Sequence, residues 1–316
     1  MAVVPATAQT IRRAAQTLRD GGVVAFPTET VYGLAALALD AHAAARIFEI
    51  KERPSFDPLI VHVSDEDMLA LVAREISPEA RALMRRFWPG ALTIVLPRAD
   101  AVPGIVTAGL PTVAVRMPSH PVALALLRET GAPIAAPSAN RFGGLTPTRA
   151  QHVEKMLGQR VECILDAGPT QLGVESTIVR LDPRPALLRP GAIAAEEIEA
   201  IVGPLERNVD ERGAPLAPGR LAHHYAPATP LRVVASAGVP PAERHGSGYL
   251  AFQHAPQGYA AVRVLSPSGD LGDAAARLFD LLHELDALGL ERIDAEPVPE
   301  RGLGLAIMDR LRRAAA

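Results

Sequence analysis

Residues 21–63 read GGVVAFPTETVYGLAALALDAHAAARIFEIKERPSFDPLIVHV, and this stretch decides the fold. A short apolar run over 23–26 predicts a buried strand, ended by Pro27. Thr28, Glu29 and Thr30 then place two hydroxyls and a carboxylate at a strand end, where α/β sheets carry ligands. Ala44, Ile47 and Phe48 stand at i, i+3, i+4 and predict a helix that delivers Lys51 and Arg53 just before Pro54. A further apolar run over 59–63 carries His62. The chain has 32 Lys+Arg, of which only Lys51 and Lys155 are lysine. A compact ammonium beside Arg53-Pro54 suits a site that needs a point charge rather than a planar fork.

Composition sets the bounds. A chain of 316 residues predicts two domains. With 48% hydrophobic and 21% charged residues it reads as a packed soluble protein. The net charge of −3 argues against a nucleic-acid coat. Charges or prolines break every apolar stretch short of a membrane span. No signal-peptide order appears at the start, where 1–22 reads as one amphipathic helix ending at Gly21-Gly22. One cysteine, Cys163, excludes a disulfide framework and a cysteine-based zinc site. The cytosol is the expected compartment.

Strand and helix patterns alternate up to about residue 203, predicting α/β structure with mixed strand directions. Helices are expected at 64–72 with a serine cap, and at 77–88, 121–129, 148–157 and 194–202. Strands are expected at 91–96, 112–117, 134–137, 163–166, 176–181 and 186–188. The pattern lapses over 204–230, a proline-rich linker. It resumes as a smaller α/β domain over 231–316. There Leu278, Leu281, Leu282, Leu285 and Leu288 form one helical face, and a last helix spans 303–313.

Standard phosphate loops, HExxH, CxxC and GxSxG are all missing from the sequence. Three constellations remain. Arg116 sits on the core strand VAVRMP, where a buried charge must find an acid: either a structural salt bridge or a clamp on a substrate carboxylate. Ser138-x-Asn140 follows a strand, so both side chains point one way and can hold phosphate oxygens or close a turn. Thr146 and Thr148 extend that rim. Glu175-Ser176-Thr177 opens another strand.

PTETVYGL and KERPSFDPLIVH resemble the YrdC-like domain of threonylcarbamoyl-AMP synthases. FWPGALTIVL, VAVRMPSHP, PIAAPSANRFGGLTPT, ILDAGP, GVESTIV, LLRPGAI and HHYAP are similar to further blocks. PVPERGLGLAIMDRLRRAA looks like the C-terminal domain of the long form. The resemblance covers nearly the whole chain. It implies a twisted mixed sheet with helices around a deep cleft (1–203), a linker closing over the site (204–230) and a Rossmann-like α/β domain (231–316).

The resemblance further implies synthesis of L-threonylcarbamoyladenylate from L-threonine, bicarbonate or CO2, and ATP with Mg²⁺. Pyrophosphate would be released, and tRNA-modifying threonylcarbamoyl transferase proteins would consume the product. Catalytic positions would be Lys51, Arg53, Ser138 and Asn140. Threonine would meet Thr30, His62, Arg116, Ala136 and Ser176. ATP would meet Lys51, Arg53, Asp57, Thr112, Ser138, Thr146, Arg189 and Tyr225. Asp57 stands where the family often has asparagine, and Gly219-Arg220-Leu221-Ala222 lacks the aromatic and basic residues of some members. The long carbamoyltransferases of hydrogenase maturation share the domain but carry cysteine-rich zinc modules. An RNA-binding protein, or an ATP- or threonine-sensing protein without turnover, is the alternative.

Overall fold

The computed structural model describes residues 3–207, 217–219 and 224–316. In chain order the first part comprises β1 (Val3–Pro5), α1 (Ala8–Arg19), β2 (Val24–Pro27), β3 (Tyr32–Leu37), α2 (Ala41–Lys51), β4 (Ile60–His62), α3 (Glu66–Val72) and α4 (Pro78–Phe87). It continues through β5 (Leu92–Pro97), β6 (Thr112–Arg116), α5 (Pro121–Thr130), β7 (Ile134–Ala135), α6 (Ala150–Leu157), β8 (Cys163–Asp166), β9 (Thr177–Arg180), β10 (Ala186–Arg189) and α7 (Ala195–Val202). The second part holds β11 (Leu231–Val233), β12 (Ser247–Ala251), β13 (Ala261–Val264), α8 (Leu271–Asp286), β14 (Arg292–Ala295) and α9 (Gly304–Ala314).

Among the described residues, ten strands form one mixed sheet in the order β1-β8-β2-β3-β7-β4-β6-β5-β9-β10. Its middle is buried on both faces, which explains the continuous apolar runs in the sequence. The second part is a four-stranded sheet, β11-β14-β12-β13, with every pair parallel. Helices α8 and α9 pack against it through Leu278, Leu282, Leu285, Ile307 and Leu311.

Several local expectations need correction. The first 22 residues are not one helix: β1 precedes α1 and pairs with β8. Helix α1 starts after Thr7, whose hydroxyl accepts from the Thr10 amide. Helix α3 is capped by Asp65, which accepts from the Met68 amide, while the Ser64 hydroxyl donates to Asp65. Leu288 lies beyond α8 and is exposed. Strand β3 had no counterpart among the expected elements, because YGLAAL carries weak strand propensity. It forms because β2 and β7 flank it on both sides.

Several contacts join the parts, two of them through α6 and α8. The Arg149 guanidinium donates to both Asp280 carboxylate oxygens at 2.6 and 2.8 Å, and His152 stacks on His283 with 3.8 Å between ring centres. At Gly173, with φ at +68°, a Cβ would fall 2.3 Å from the Ala276 carbonyl oxygen. Only glycine allows the second domain to approach that closely there.

Candidate active site

Strand register sets the site's first pair. Parallel pairing of β4 with β6 puts His62 opposite Arg116, so an imidazole and a guanidinium emerge together at adjacent strand ends. The chain leaving β2 passes beside them. The Arg116 guanidinium donates to the Thr30 hydroxyl at 2.9 Å and to the Gly90 carbonyl at 3.1 Å, and pairs with Glu29 at 2.6 Å. This buried arginine has its acid, as its charge demands. Burial opposes ionisation of Glu29, yet the Arg116 charge prevails and holds that carboxyl below its usual range. The His62 ring is pushed down to about 3, by burial first and the Arg116 charge second. It is therefore a neutral imidazole at physiological pH.

Two further guanidiniums, those of Arg53 and Arg189, border the same cavity. Arg53 follows α2, whose last turn ends at Glu52 in the left-handed region, φ +56°. Its guanidinium donates to the Asp57 and Pro58 carbonyls and pairs with the Asp57 carboxylate at 2.8 Å. The aspartate thus serves as a buried counter-ion to Arg53. Arg189, at the end of β10, donates to the Ser176 carbonyl at 3.0 Å, the Ser176 hydroxyl at 3.2 Å and the Pro218 carbonyl at 3.3 Å.

Thr30, Arg53, His62, Arg116, Ala136, Ser138, Ser176, Arg189 and Tyr225 all border one half-open cavity. Lys51 and Asn140 stand behind it. The Lys51 ammonium, 1% exposed, donates to the Ser138 carbonyl at 2.6 Å, the Asn140 carbonyl at 2.5 Å and Asn140 Oδ1 at 3.3 Å. Those acceptors satisfy its three protons. Burial, then the nearby Arg53 charge, pushes its pKa well below that of an ordinary lysine. Asn140 Nδ2 donates to the Arg141 and Gly144 carbonyls, which fixes the amide with Oδ1 toward Ser138. The Ser138 hydroxyl lies 2.5 Å from that oxygen. Lys51 and Asn140 therefore hold the loop that presents Ser138 to the cavity.

Thr146 also stands behind the wall, donating to Glu175 at 2.6 Å. Thr112 is not brought to the cavity. It pairs with Pro97 at the start of β6, two residues before Ala114, whose partner Ile60 does border the cavity.

The linker contributes Pro218, Gly219, His224 and Tyr225 to the cavity border. Residues 208–216 and 220–223 lie outside the described residues, and with them the expectations for Arg220, Leu221, Ala222 and His223. Tyr225 is buried with φ at +65°, a strained value for a bulky residue. His224 and Phe279 pack on its ring, and the Arg310 guanidinium lies 5.1 Å from the ring centre. A Cβ on Gly219 would lie 2.6 Å from the Tyr225 hydroxyl.

Glu175, His224 and Arg310 were not among the expected site residues. Glu175 had its signal in the acid-hydroxyl-hydroxyl triplet at a strand start. Arg310 also left a signal: it occupies a buried-face position of α9 between Ile307 and Leu311, where a charge requires an acid.

Residues 16–191 match the family described as "Telomere recombination", and 193–316 match the threonylcarbamoyl-AMP synthase C-terminal domain. The threonylcarbamoyl-AMP synthase of Bacillus subtilis is 46% identical over 96% of this chain and 92% of its own. That of Pyrococcus abyssi is 45% identical over 96% and 93%. The crystal structure of P. abyssi Sua5 complexed with L-threonine superposes with a TM-score of 0.91 at 42% identity, covering 98% of this chain and 95% of that one. The crystal structure of E. coli YciO superposes with a TM-score of 0.52 at 27% identity, covering 58% of this chain and 90% of that one. Both halves, in this order and at this identity, make the chain a member of the threonylcarbamoyl-AMP synthase family.

Proposed function

We propose that this chain makes L-threonylcarbamoyladenylate from L-threonine, bicarbonate or CO2, and ATP, releasing pyrophosphate. The observation that carries the reading is the polarity of the cavity. The Arg116 guanidinium and the neutral His62 imidazole, opposite each other on β6 and β4, form one group on its border, and the buried guanidiniums of Arg53 and Arg189 form another. Arg116, oriented by Glu29 and Thr30, takes the threonine carboxylate as a fork takes a planar anion. Neutral His62 beside it leaves the amine end without a competing positive charge. The free amine captures CO2, giving a carbamate and releasing a proton. A carbamate oxygen then attacks the ATP α-phosphorus in line, and pyrophosphate leaves. No enzyme nucleophile is needed, so catalysis is positioning and charge stabilisation. Arg53 and Arg189 meet the phosphates, while Lys51 and Asn140 keep Ser138 at their edge.

Mg²⁺ enters as part of the ATP substrate. Glu29, Asp57 and Glu175, the carboxylates nearest the cavity, are each turned to an arginine. Among the described residues no group of three metal-ligating side chains exists. The fit is to an ion held by phosphate and water rather than by a protein cage. The product would be consumed by threonylcarbamoyl transferase proteins that act on tRNA in the cytosol. No helix among the described residues is long and apolar enough to cross a membrane.

The test is pyrophosphate release from ATP by the purified protein, with Mg²⁺ and bicarbonate, with and without L-threonine. Threonine-dependent release, with serine a poor substitute, is expected. Release that ignores threonine, or none from a protein that binds ATP, would turn the reading toward a sensor or RNA-binding protein.

A further inference from the structure

Arg310 heads the largest fully buried side chains among the described residues, and it belongs to the second domain. Its guanidinium leaves α9 and enters the wall of the cavity built by the first. Nε donates to Glu175 Oε2 at 3.0 Å, and a terminal nitrogen donates to the Pro190 carbonyl at 2.7 Å. Its carbon lies 5.1 Å from the centre of the Tyr225 ring. Each contact is one step from the cavity. Glu175 and Tyr225 border it, Ser176 follows Glu175, and Pro190 follows Arg189. Arg310 does not itself border the cavity. Asp309 balances part of its charge at 2.8 Å.

We propose that Arg310 is a positioning residue through which the second domain completes the nucleotide end of the active site. The inference rests on the synthase reading above and assigns its second domain a task. The electrostatics give the reason. Glu175 is a buried carboxylate with two nearby guanidiniums, Arg310 and Arg189. While Arg310 neutralises it and the Thr146 hydroxyl donates to its other oxygen, Arg189 is left to Ser176, the linker and the incoming phosphates. Without Arg310, a buried unpaired carboxylate cannot persist. It must draw in Arg189, the guanidinium left beside it, because the Lys51 ammonium is already held by Ser138 and Asn140, and so take from ATP one of its two phosphate-facing arginines. Tyr225, in its strained backbone conformation, loses the cation against its ring at the same time.

The experiment compares the full-length parent, Arg310→Ala, Arg310→Lys and Arg310→Ala/Glu175→Gln. Circular dichroism checks folding, calorimetry measures ATP affinity without turnover, and steady-state kinetics give KM for each substrate. Arg310→Ala should weaken ATP binding at least tenfold and leave the threonine KM within threefold. Adding Glu175→Gln removes the stranded charge, so ATP affinity should return to within threefold of the parent. If Arg310→Ala does not fold, Arg310→Lys decides. A lysine keeps the charge but cannot serve both Glu175 and Pro190, so a threefold to tenfold loss of ATP affinity is expected. A folded variant with unchanged ATP affinity, equal losses for both substrates, or a double variant no better than the single one would overturn the proposal. A parent that binds ATP and loses it in Arg310→Ala, yet releases no pyrophosphate with threonine, would instead refute the synthase reading alone.

Discussion

Arg116 serves two roles that one pair of substitutions can separate. It neutralises the buried Glu29 at 2.6 Å, and in the proposed reaction it also holds the threonine carboxylate. Arg116→Ala strands Glu29 in a site where both side chains are 4% exposed. Breaking a buried pair on one side costs about 3–5 kcal/mol. For a domain of this size that lowers Tm by roughly 6–20 °C. The loss should depend on pH with a definite sign. In the variant the folded-state pKa of Glu29 rises above its unfolded value, so the protonated form is tolerated at low pH. The deficit then grows as pH rises through that raised pKa, and chemical denaturation at pH 4.5 and 7.5 should show the smaller loss at pH 4.5.

Adding Glu29→Gln to Arg116→Ala removes the stranded charge and should recover at least half of the stability at pH 7.5. It cannot restore a partner for a carboxylate. Losing a charged fork from the substrate is worth about 2–3 kcal/mol, or roughly a 30- to 150-fold rise in threonine KM, in both variants. Threonine dependence of pyrophosphate release, at saturating ATP, reads it. A double variant with a threonine KM within threefold of the parent would refute the clamp. A loss below about 1 kcal/mol in the single variant would refute the energetic argument for the pair.

Three further outcomes follow from the geometry. Lys51→Met leaves the Ser138 and Asn140 carbonyls without their donor. Turnover should fall about 10²-fold or more, and pyrophosphate release within threefold of the parent would remove Lys51 from the site's support. His62 is neutral when folded and charges more readily when unfolded, with a folded pKa of about 3 against 6.5. Its contribution to stability is present above pH 6.5 and lost as pH falls from there toward 3, by about 1.4 kcal/mol per pH unit. His62→Gln should flatten that acid limb in pH-dependent urea melts while leaving it unchanged above pH 7. Gly173→Ala would put a Cβ 2.3 Å from the Ala276 carbonyl at φ +68°. A loss well above 1 kcal/mol is expected, and thermal scans should show the two domains unfolding in separate transitions.

Much of the candidate site's lining was legible in the chain because its residues are local to a few stretches. Lys51 and Arg53 leave one helix, Ser138 and Asn140 share one loop, and Thr28 to Thr30 end one strand. What was missed depends on distant partners. Strand β1 is three residues long and exists because β8 lies beside it. Asp65 rather than Ser64 caps α3, since adjacent candidates differ only in which one reaches the Met68 amide. Thr112, at the start of β6, is not among the residues that border the cavity.

The sequence by itself determined the alternation of strand and helix, the two domains and the order of the motif blocks. Apolar periodicity and residue type are properties of consecutive residues. Tertiary structure alone decided which charges meet. The register of β4 on β6 joined His62 to Arg116, and the path after β2 brought Glu29 to that pair. Docking of the second domain carried Arg310 to Glu175, 135 residues away in the chain. Charge pairing acts through space, and burial makes it obligatory. The sequence can therefore announce that a buried arginine needs an acid, but only the folded chain selects which one.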